Sequence, residues 1–116
     1  MNQPPYTMDG IRRSVTLKAI QDVCGKRAWL LLAAHVRTNH VHVVIESDAP
    51  PETVMSTLKS SASRALNELG IDEQEHRRRW ARHGSTRYIW TKAQLSAAIR
   101  YTVSGQGERL SVYEAP

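Results

Sequence analysis

Two histidines separated by one residue stand in the segment TNHVHVVIESD, residues 38–48, and an apolar run follows them. Because side chains alternate across a β-strand, His40 and His42 are expected on the same face, one pleat repeat apart. Two imidazoles on one face can share a metal cation, since neutral imidazole is a common metal ligand. The same pattern also occurs in strands whose histidines are solvated or hydrogen-bonded, so it indicates a metal site only together with further ligands.

A tyrosine near the end of the last predicted helix is the second group that could do chemistry. Tyr101 lies in the segment KAQLSAAIRYTVSGQG, residues 92–107, and Gln106 follows shortly after it. This helix has to pack on a sheet to bury its apolar side, which makes its residues candidates for a site near the histidines. Periodicity alone also fits an ordinary tyrosine at the edge of the core.

The charge distribution points to a polyanionic partner. The chain has a formal net charge of +5, and no acidic residue stands between Glu75 and Glu108. The basic residues of that stretch are Arg77, Arg78, Arg79, Arg82, Arg87, Lys92 and Arg100. A field of one sign attracts polyanions, of which nucleic acid is the usual one. The alternative is a solvated basic face without a specific partner.

Apolar periodicity and turn residues predict the elements that position these groups. The first half is predicted to contain a helix at 9–25 ended by Gly25, a strand at 29–36 covered on both faces, a tight connection at 37–39 and a strand at 41–47. A second helix follows, opened by Pro50-Pro51 and ended by Gly70. After it come an arginine-rich connection at 71–85, a strand at 86–91 and a helix at 92–107. Helices that interrupt an antiparallel sheet and pack on its faces give an α+β fold.

The three tryptophans are expected to stabilise this fold. Trp29 and Trp90 alternate with polar neighbours in predicted strands, which places both in the core. Trp80 is expected to fill space under the arginine-rich connection, although an exposed tryptophan there could instead stack on an unpaired base.

Length and composition limit the class of protein. The 116 residues are enough for one domain with one modest core, so residues 1–116 are predicted to form a single domain. The sequence has no run of eighteen apolar residues and no apolar signal-peptide core, which argues against a membrane span and against export. The single cysteine, Cys24, excludes an internal disulfide and fits a reducing cytoplasm.

Three segments together closely resemble the single-tyrosine HUH transposases of the REP-associated and IS200-like insertion-sequence type. These segments are NHVHVV, WARHGSTRYIW and AIRYTVSGQG, and the resemblance runs from the first helix to about Glu108. The family motif of histidine, bulky hydrophobe and histidine matches His40-Val41-His42. The resemblance implies a ferredoxin-like HUH endonuclease fold with an antiparallel sheet and helices packed on it.

The resemblance also implies a reaction. In this family a divalent ion, Mg²⁺ or Mn²⁺, is held by the two histidines, and a helix tyrosine attacks the scissile phosphate of single-stranded DNA. Tyr101 matches that tyrosine, which is left joined to a 5′-phosphate. The third ligand is usually Gln or Asn four residues after the tyrosine; here Gly105 stands in that place and Gln106 follows it. Gln106 is therefore the candidate third ligand, with Glu108 or water as alternatives.

The partners implied by the resemblance are single-stranded or hairpin DNA and a second copy of the chain. Family members clamp structured DNA, so the candidate phosphate contacts are Arg77, Arg78, Arg79, Arg82 and Arg87. Family dimers join their sheets edge to edge, and the apolar strand at 29–36 is the expected edge.

Two other interpretations of the function are compatible with the sequence. A decayed or domesticated relative would bind structured DNA or RNA without cutting it, and Gly105 at the ligand position favours that reading. An unrelated metal hydrolase or metal-binding domain could also use His40 and His42. That reading would leave the acid-free basic stretch unexplained.

Overall fold

The computed structural model describes residues 5–72, 77–80 and 86–116, and within these ranges the chain forms three helices and three strands. In chain order they are α1 (Gly10–Arg27), β1 (Leu30–Val36), β2 (Val41–Glu46), α2 (Pro51–Leu69), α3 (Lys92–Ser104) and β3 (Ser111–Glu114). The strands form one antiparallel sheet in the order β2-β1-β3. This confirms the predicted α+β class, and the arrangement is compatible with a ferredoxin-like fold.

The first two helices begin and end for local reasons. The Asp9 side chain accepts the Arg12 backbone N–H and caps the start of α1. This helix does not end at Gly25 as predicted, because the left-handed residue that closes it is Ala28, with φ 57°. The second helix starts at the predicted proline pair and ends at the left-handed Gly70.

The sheet separates two apolar cores. On one face, α1 packs on β1 and α2 packs against α1, around a core that includes Ile20, Val36 and Leu58. On the other face, α3 packs around Ala33, Val44 and Val103. Strand β1 is covered on both faces, as its apolar run predicted. None of the helices in the described part of the chain combines the length and apolar character needed to cross a membrane.

The predicted edge strand of a dimer is wrong. Residues 30–36 pair with β2 on one side and with β3 on the other, so β1 lies in the middle of the sheet. Within the described residues, β2, which begins directly after His40, is at one edge of the sheet and β3 is at the other.

The predicted strand at 86–91 is also wrong: residues 86–90 have no strand pairing, and the third strand follows α3 instead of preceding it. The cause lies at the start of α3. Gln94 Oε1 accepts the backbone N–H groups of Trp90 and Thr91 at 2.9 and 3.2 Å, while Thr91 Oγ1 accepts the Gln94 N–H at 3.1 Å. This capping box uses donors that a sheet would need. Trp29 is buried as predicted, but Trp90 is 79% exposed.

A buried ion-pair network closes the fold on the α1–α2 side. Asp72 accepts hydrogen bonds from Tyr6 Oη at 2.9 Å, from Arg12 Nε at 2.9 Å and from Arg79 Nη2 at 2.8 Å. Burial alone would raise the pKa of Asp72, but the hydrogen bonds from the two arginines and the tyrosine outweigh it and leave the pKa below its ordinary value. The side chain of Arg79 is only 2% exposed. Trp80 is half-buried against the same core and donates to Ser63 Oγ at 2.7 Å, which agrees with the core role expected of it.

A buried histidine joins the sheet to α3. His35 of β1 is fully buried, its Nδ1 lies 3.0 Å from the Thr102 carbonyl oxygen and its Nε2 accepts the Leu110 backbone N–H at 3.1 Å. Since a carbonyl only accepts, Nδ1 carries the proton and the ring is neutral. Burial lowers the pKa of His35, and the cations Arg37 and Arg109 lower it further. The ring thereby ties the end of α3 and the chain entering β3 to the central strand.

We expect His35→Ala to lower the free energy of unfolding by about 2–4 kcal/mol, because it leaves a cavity and two backbone groups without their imidazole partner. Chemical denaturation of both proteins measures the difference. His40→Ala is the control: that side chain is exposed, and its removal should change stability by less than about 0.5 kcal/mol. Equal effects of the two substitutions would contradict the assigned role of His35.

Candidate active site

His40 and His42 are neighbours in space. Their rings stack with centroids 6.2 Å apart and 19° between the planes. His40 directly precedes β2 and is exposed, whereas His42 lies within β2 and is half-buried. Asn39 orients the first ring, because its Oδ1 lies 2.8 Å from His40 Nδ1. An amide oxygen only accepts, so Nδ1 is the donor of this hydrogen bond, and Nε2 is the ring nitrogen that a ligand bond would use.

The second histidine is held neutral by its surroundings. Burial lowers the pKa of His42, and repulsion from His40, His35 and Arg37 lowers it further. The neutral imidazole is the form that binds metals. His42 stands directly opposite His35 in the β1–β2 ladder, so both rings belong to one face of the sheet. Val44, two residues along the same strand, packs with α3, and this is therefore the face that α3 covers.

Tyr101 lies in the last turn of α3 and is 59% exposed, while the next two residues are buried. The helix ends immediately after this turn, where the Gly105 N–H donates to the Tyr101 carbonyl oxygen at 2.8 Å. A Cβ atom at position 105 would stand 2.7 Å from Tyr101 Cδ1 and 2.9 Å from Tyr101 Cα. No side chain therefore fits at position 105 unless Tyr101 moves.

The side chain of Gln106 turns back onto α3. It is half-buried, and its Nε2 lies 3.4 Å from the Thr102 carbonyl oxygen, the atom to which His35 also donates. The turn follows from Gly105, whose backbone (φ −92°, ψ 4°) leaves the helical path after Ser104. The Gln106 amide and the His35 ring therefore both approach the Thr102 carbonyl oxygen, and His35 shares a sheet face with His42.

The arginines predicted to contact phosphate differ in their surroundings. Arg78 and Arg87 are exposed. Arg77 is half-buried, with its guanidinium 5.5 Å from the centroid of a tyrosine ring. The charge of Arg79 is compensated inside the buried network, so this residue is not among the exposed cations. Arg82 lies outside the described residues.

The donor set fits an ion that keeps water ligands. Across residues 5–72, 77–80 and 86–116, no three His, Cys, Asp or Glu side chains lie together in a group that could hold a metal. A closed structural zinc site would need four such groups. Two imidazoles leave coordination positions for water and further ligands, and paired nitrogen donors favour Mn²⁺ over Mg²⁺, which prefers oxygen ligands.

His35 is a structurally important residue that the sequence pattern does not single out. It lies within the apolar run WLLLAAHV, residues 29–36, which predicts only a covered strand. One signal was present: a single ionisable side chain inside a strand covered on both faces needs hydrogen-bond partners. Those partners are backbone groups of Thr102 and Leu110, which no sequence pattern identifies.

A protein-family model matches most of the chain. Residues 7–101 match the family model described as "Transposase IS200 like", a range that contains both histidines and ends at Tyr101. No curated protein and no solved structure matches the chain significantly. Because the matched range covers most of the 116 residues, the chain belongs to the IS200-like transposase family.

Proposed function

We propose that this transposase cuts and rejoins single-stranded DNA through a covalent bond between Tyr101 and a 5′-phosphate, with a divalent ion held by His40 and His42. One observation carries the proposal: the two histidines and the helix that bears Tyr101 share one face of the sheet. Family membership supports a transposase role in general. The geometry supports the assignment of metal binding to the histidines and of nucleophilic attack to Tyr101.

The proposed reaction conserves the energy of the phosphodiester. A bound divalent ion would polarise the scissile phosphate. The phenol oxygen of Tyr101 attacks phosphorus as its proton leaves, the bond from phosphorus to the 3′-oxygen breaks, and that oxygen takes up a proton. The products are a 5′-phosphotyrosine and a free 3′-hydroxyl. Attack by a 3′-hydroxyl on the phosphotyrosine reverses the step, so strands are joined without ATP.

Gln106 is the third ligand that we propose, through its Oε1. Its Nε2 already points to the Thr102 carbonyl, which leaves the amide oxygen as the ligand atom. The family's usual position is occupied by Gly105, where the ring of Tyr101 leaves no room for a side chain. In this chain the proposed third ligand therefore stands five residues after the tyrosine, one residue later than the family's usual position.

The proposed partners are single-stranded or hairpin DNA and a second copy of the chain, acting in the cytoplasm. The exposed side chains of Arg78 and Arg87 support binding to a phosphate backbone. A homodimer joined through sheet edges would use β2 or β3, which flank β1.

A second function has one observation in its favour. The absence of a side chain at Gly105 is compatible with a relative that binds structured DNA or RNA and does not cut it. Such a protein would keep salt-sensitive binding to a hairpin and would form no covalent product.

We expect Tyr101→Phe to abolish covalent capture and leave DNA affinity within about twofold, because a phenyl ring keeps the contacts but lacks the nucleophile. The measurement is a denaturing gel of the protein with labelled hairpin DNA from the flanks of its gene, with and without Mn²⁺. Tyr113→Phe, on β3, is the matched control and should keep the metal-dependent band. A band that persists in Tyr101→Phe assigns the nucleophile elsewhere, and wild-type binding without any band supports the second function.

We expect Gln106→Ala to raise the Mn²⁺ concentration needed for half-maximal covalent product by about tenfold or more, since a ligand is lost. Glu108→Ala, two residues away and exposed, is the control and should leave the metal dependence unchanged. The reverse pattern, with a shift in Glu108→Ala alone, would make Glu108 the third ligand.

A further inference from the structure

Two aromatic side chains stand exposed and stacked just before α3. Tyr88 is 63% exposed and Trp90 is 79% exposed, and their rings lie 5.5 Å apart with 23° between the planes. Tyrosine and tryptophan side chains of this size usually contribute to a core or an interface. Among the described residues, neither ring belongs to the core around Ile20 or to the core around Val103.

The pair is held firmly although it is exposed. Ile89, between the two rings in sequence, is half-buried and packs on the core under α3. The Trp90 backbone N–H donates to the Gln94 side chain, which is part of the capping box of the helix. With Ile89 anchored inward and the backbone fixed, the two rings form a preorganised surface, which lowers the entropy lost when a ligand binds.

The charges around the pair select the kind of ligand. Arg87 and Lys92 flank it and are exposed, and the sequence has no acidic residue between Glu75 and Glu108. Two copies of this surface would repel each other, which argues against a contact between like protomers. A polyanion that carries flat apolar rings matches both features, and unpaired bases of a nucleic acid are such rings.

The pair stands just before the helix that carries Tyr101. Trp90 is separated from the first helical residue by the extended N-cap Thr91, and Tyr101 lies in the last turn. The ten residue steps from Thr91 to Tyr101 correspond to about 15 Å of helix, so the pair and the tyrosine lie near opposite ends of α3. Ala93 and Ala97 are exposed between them and are small. A single strand can therefore run along α3 from the aromatic pair to the tyrosine.

We propose that Tyr88 and Trp90 stack on an unpaired base of the DNA substrate, near the end of α3 opposite to the one that carries Tyr101. This inference rests on the proposed single-stranded DNA substrate, and it adds a second point at which that strand is held.

The test compares binding to single-stranded and double-stranded DNA in EDTA, so that no covalent product forms. Fluorescence anisotropy is measured with a labelled oligothymidine and with a labelled duplex of equal length. We expect Trp90→Ala to weaken binding of the single strand about tenfold and of the duplex less than twofold, while Trp90→Phe keeps most of the affinity. Ile11→Ala is the control: this residue is an exposed apolar side chain, 60% exposed, on α1 and hence on the other side of the sheet, and its loss should change neither affinity.

Tryptophan emission gives a second readout. Trp29 is buried and Trp80 half-buried, so the emission of solvent-exposed character comes from Trp90. Stacking on a base should quench it when oligothymidine is added, and Trp90→Phe should lose this quench while still binding DNA.

Three results would overturn the stacking role: unchanged single-strand affinity in Trp90→Ala, equal losses on both DNAs, or a change of oligomeric state in light scattering with DNA affinity intact. The last would make the pair an interface between copies. Failure of the proposed catalysis is seen separately, as a wild-type protein that shows the quench but forms no covalent product with Mn²⁺.

Discussion

The hydrogen bonds of His35 connect the sheet to both chain segments that follow the basic connection. Its Nδ1 reaches the Thr102 carbonyl and its Nε2 the Leu110 N–H, 67 and 75 residues away in sequence. The carbonyl belongs to the residue next to Tyr101, and the ring stands opposite His42 in the ladder. One neutral buried side chain therefore links the residue next to the proposed nucleophile to the strand position opposite one of the proposed metal ligands. Without it, α3 would be held to the sheet mainly by its small apolar core.

The end of α3 is shaped by the glycine that follows it. Gly105 accommodates the ring of Tyr101 where a side chain would collide with it, and its backbone directs Gln106 toward the Thr102 carbonyl. The position of the proposed third ligand and the space around the proposed nucleophile therefore depend on the same residue. A family member with a ligand four residues after its tyrosine needs a regular helix there, whereas this chain ends its helix one residue earlier.

Elements with a strong apolar periodicity were predictable from the sequence alone. Helices α1 and α2, strands β1 and β2, and the common face of His40 and His42 were predicted, because alternation and four-residue spacing follow from backbone geometry. The segment at 86–91 alternates like a strand, yet the capping box of Gln94 takes its backbone donors, and no local pattern reveals that competition. Strand β3 is only four residues long and was missed. The inward turn of Arg79 and the direction of Gln106 depend on partners distant in sequence or on one backbone angle, so neither was predictable from the pattern.

The central claim is that a divalent ion bound by His40 and His42 lies next to the end of α3. Addition of substoichiometric Mn²⁺ to ¹⁵N-labelled protein tests it directly, since the paramagnetic ion broadens the amide signals of nearby residues. The account predicts that signals around His42 and those of Tyr101 to Gln106 broaden together, while signals of α2 stay sharp. Broadening around the histidines with the end of α3 unaffected, or broadening spread over α2, would contradict it.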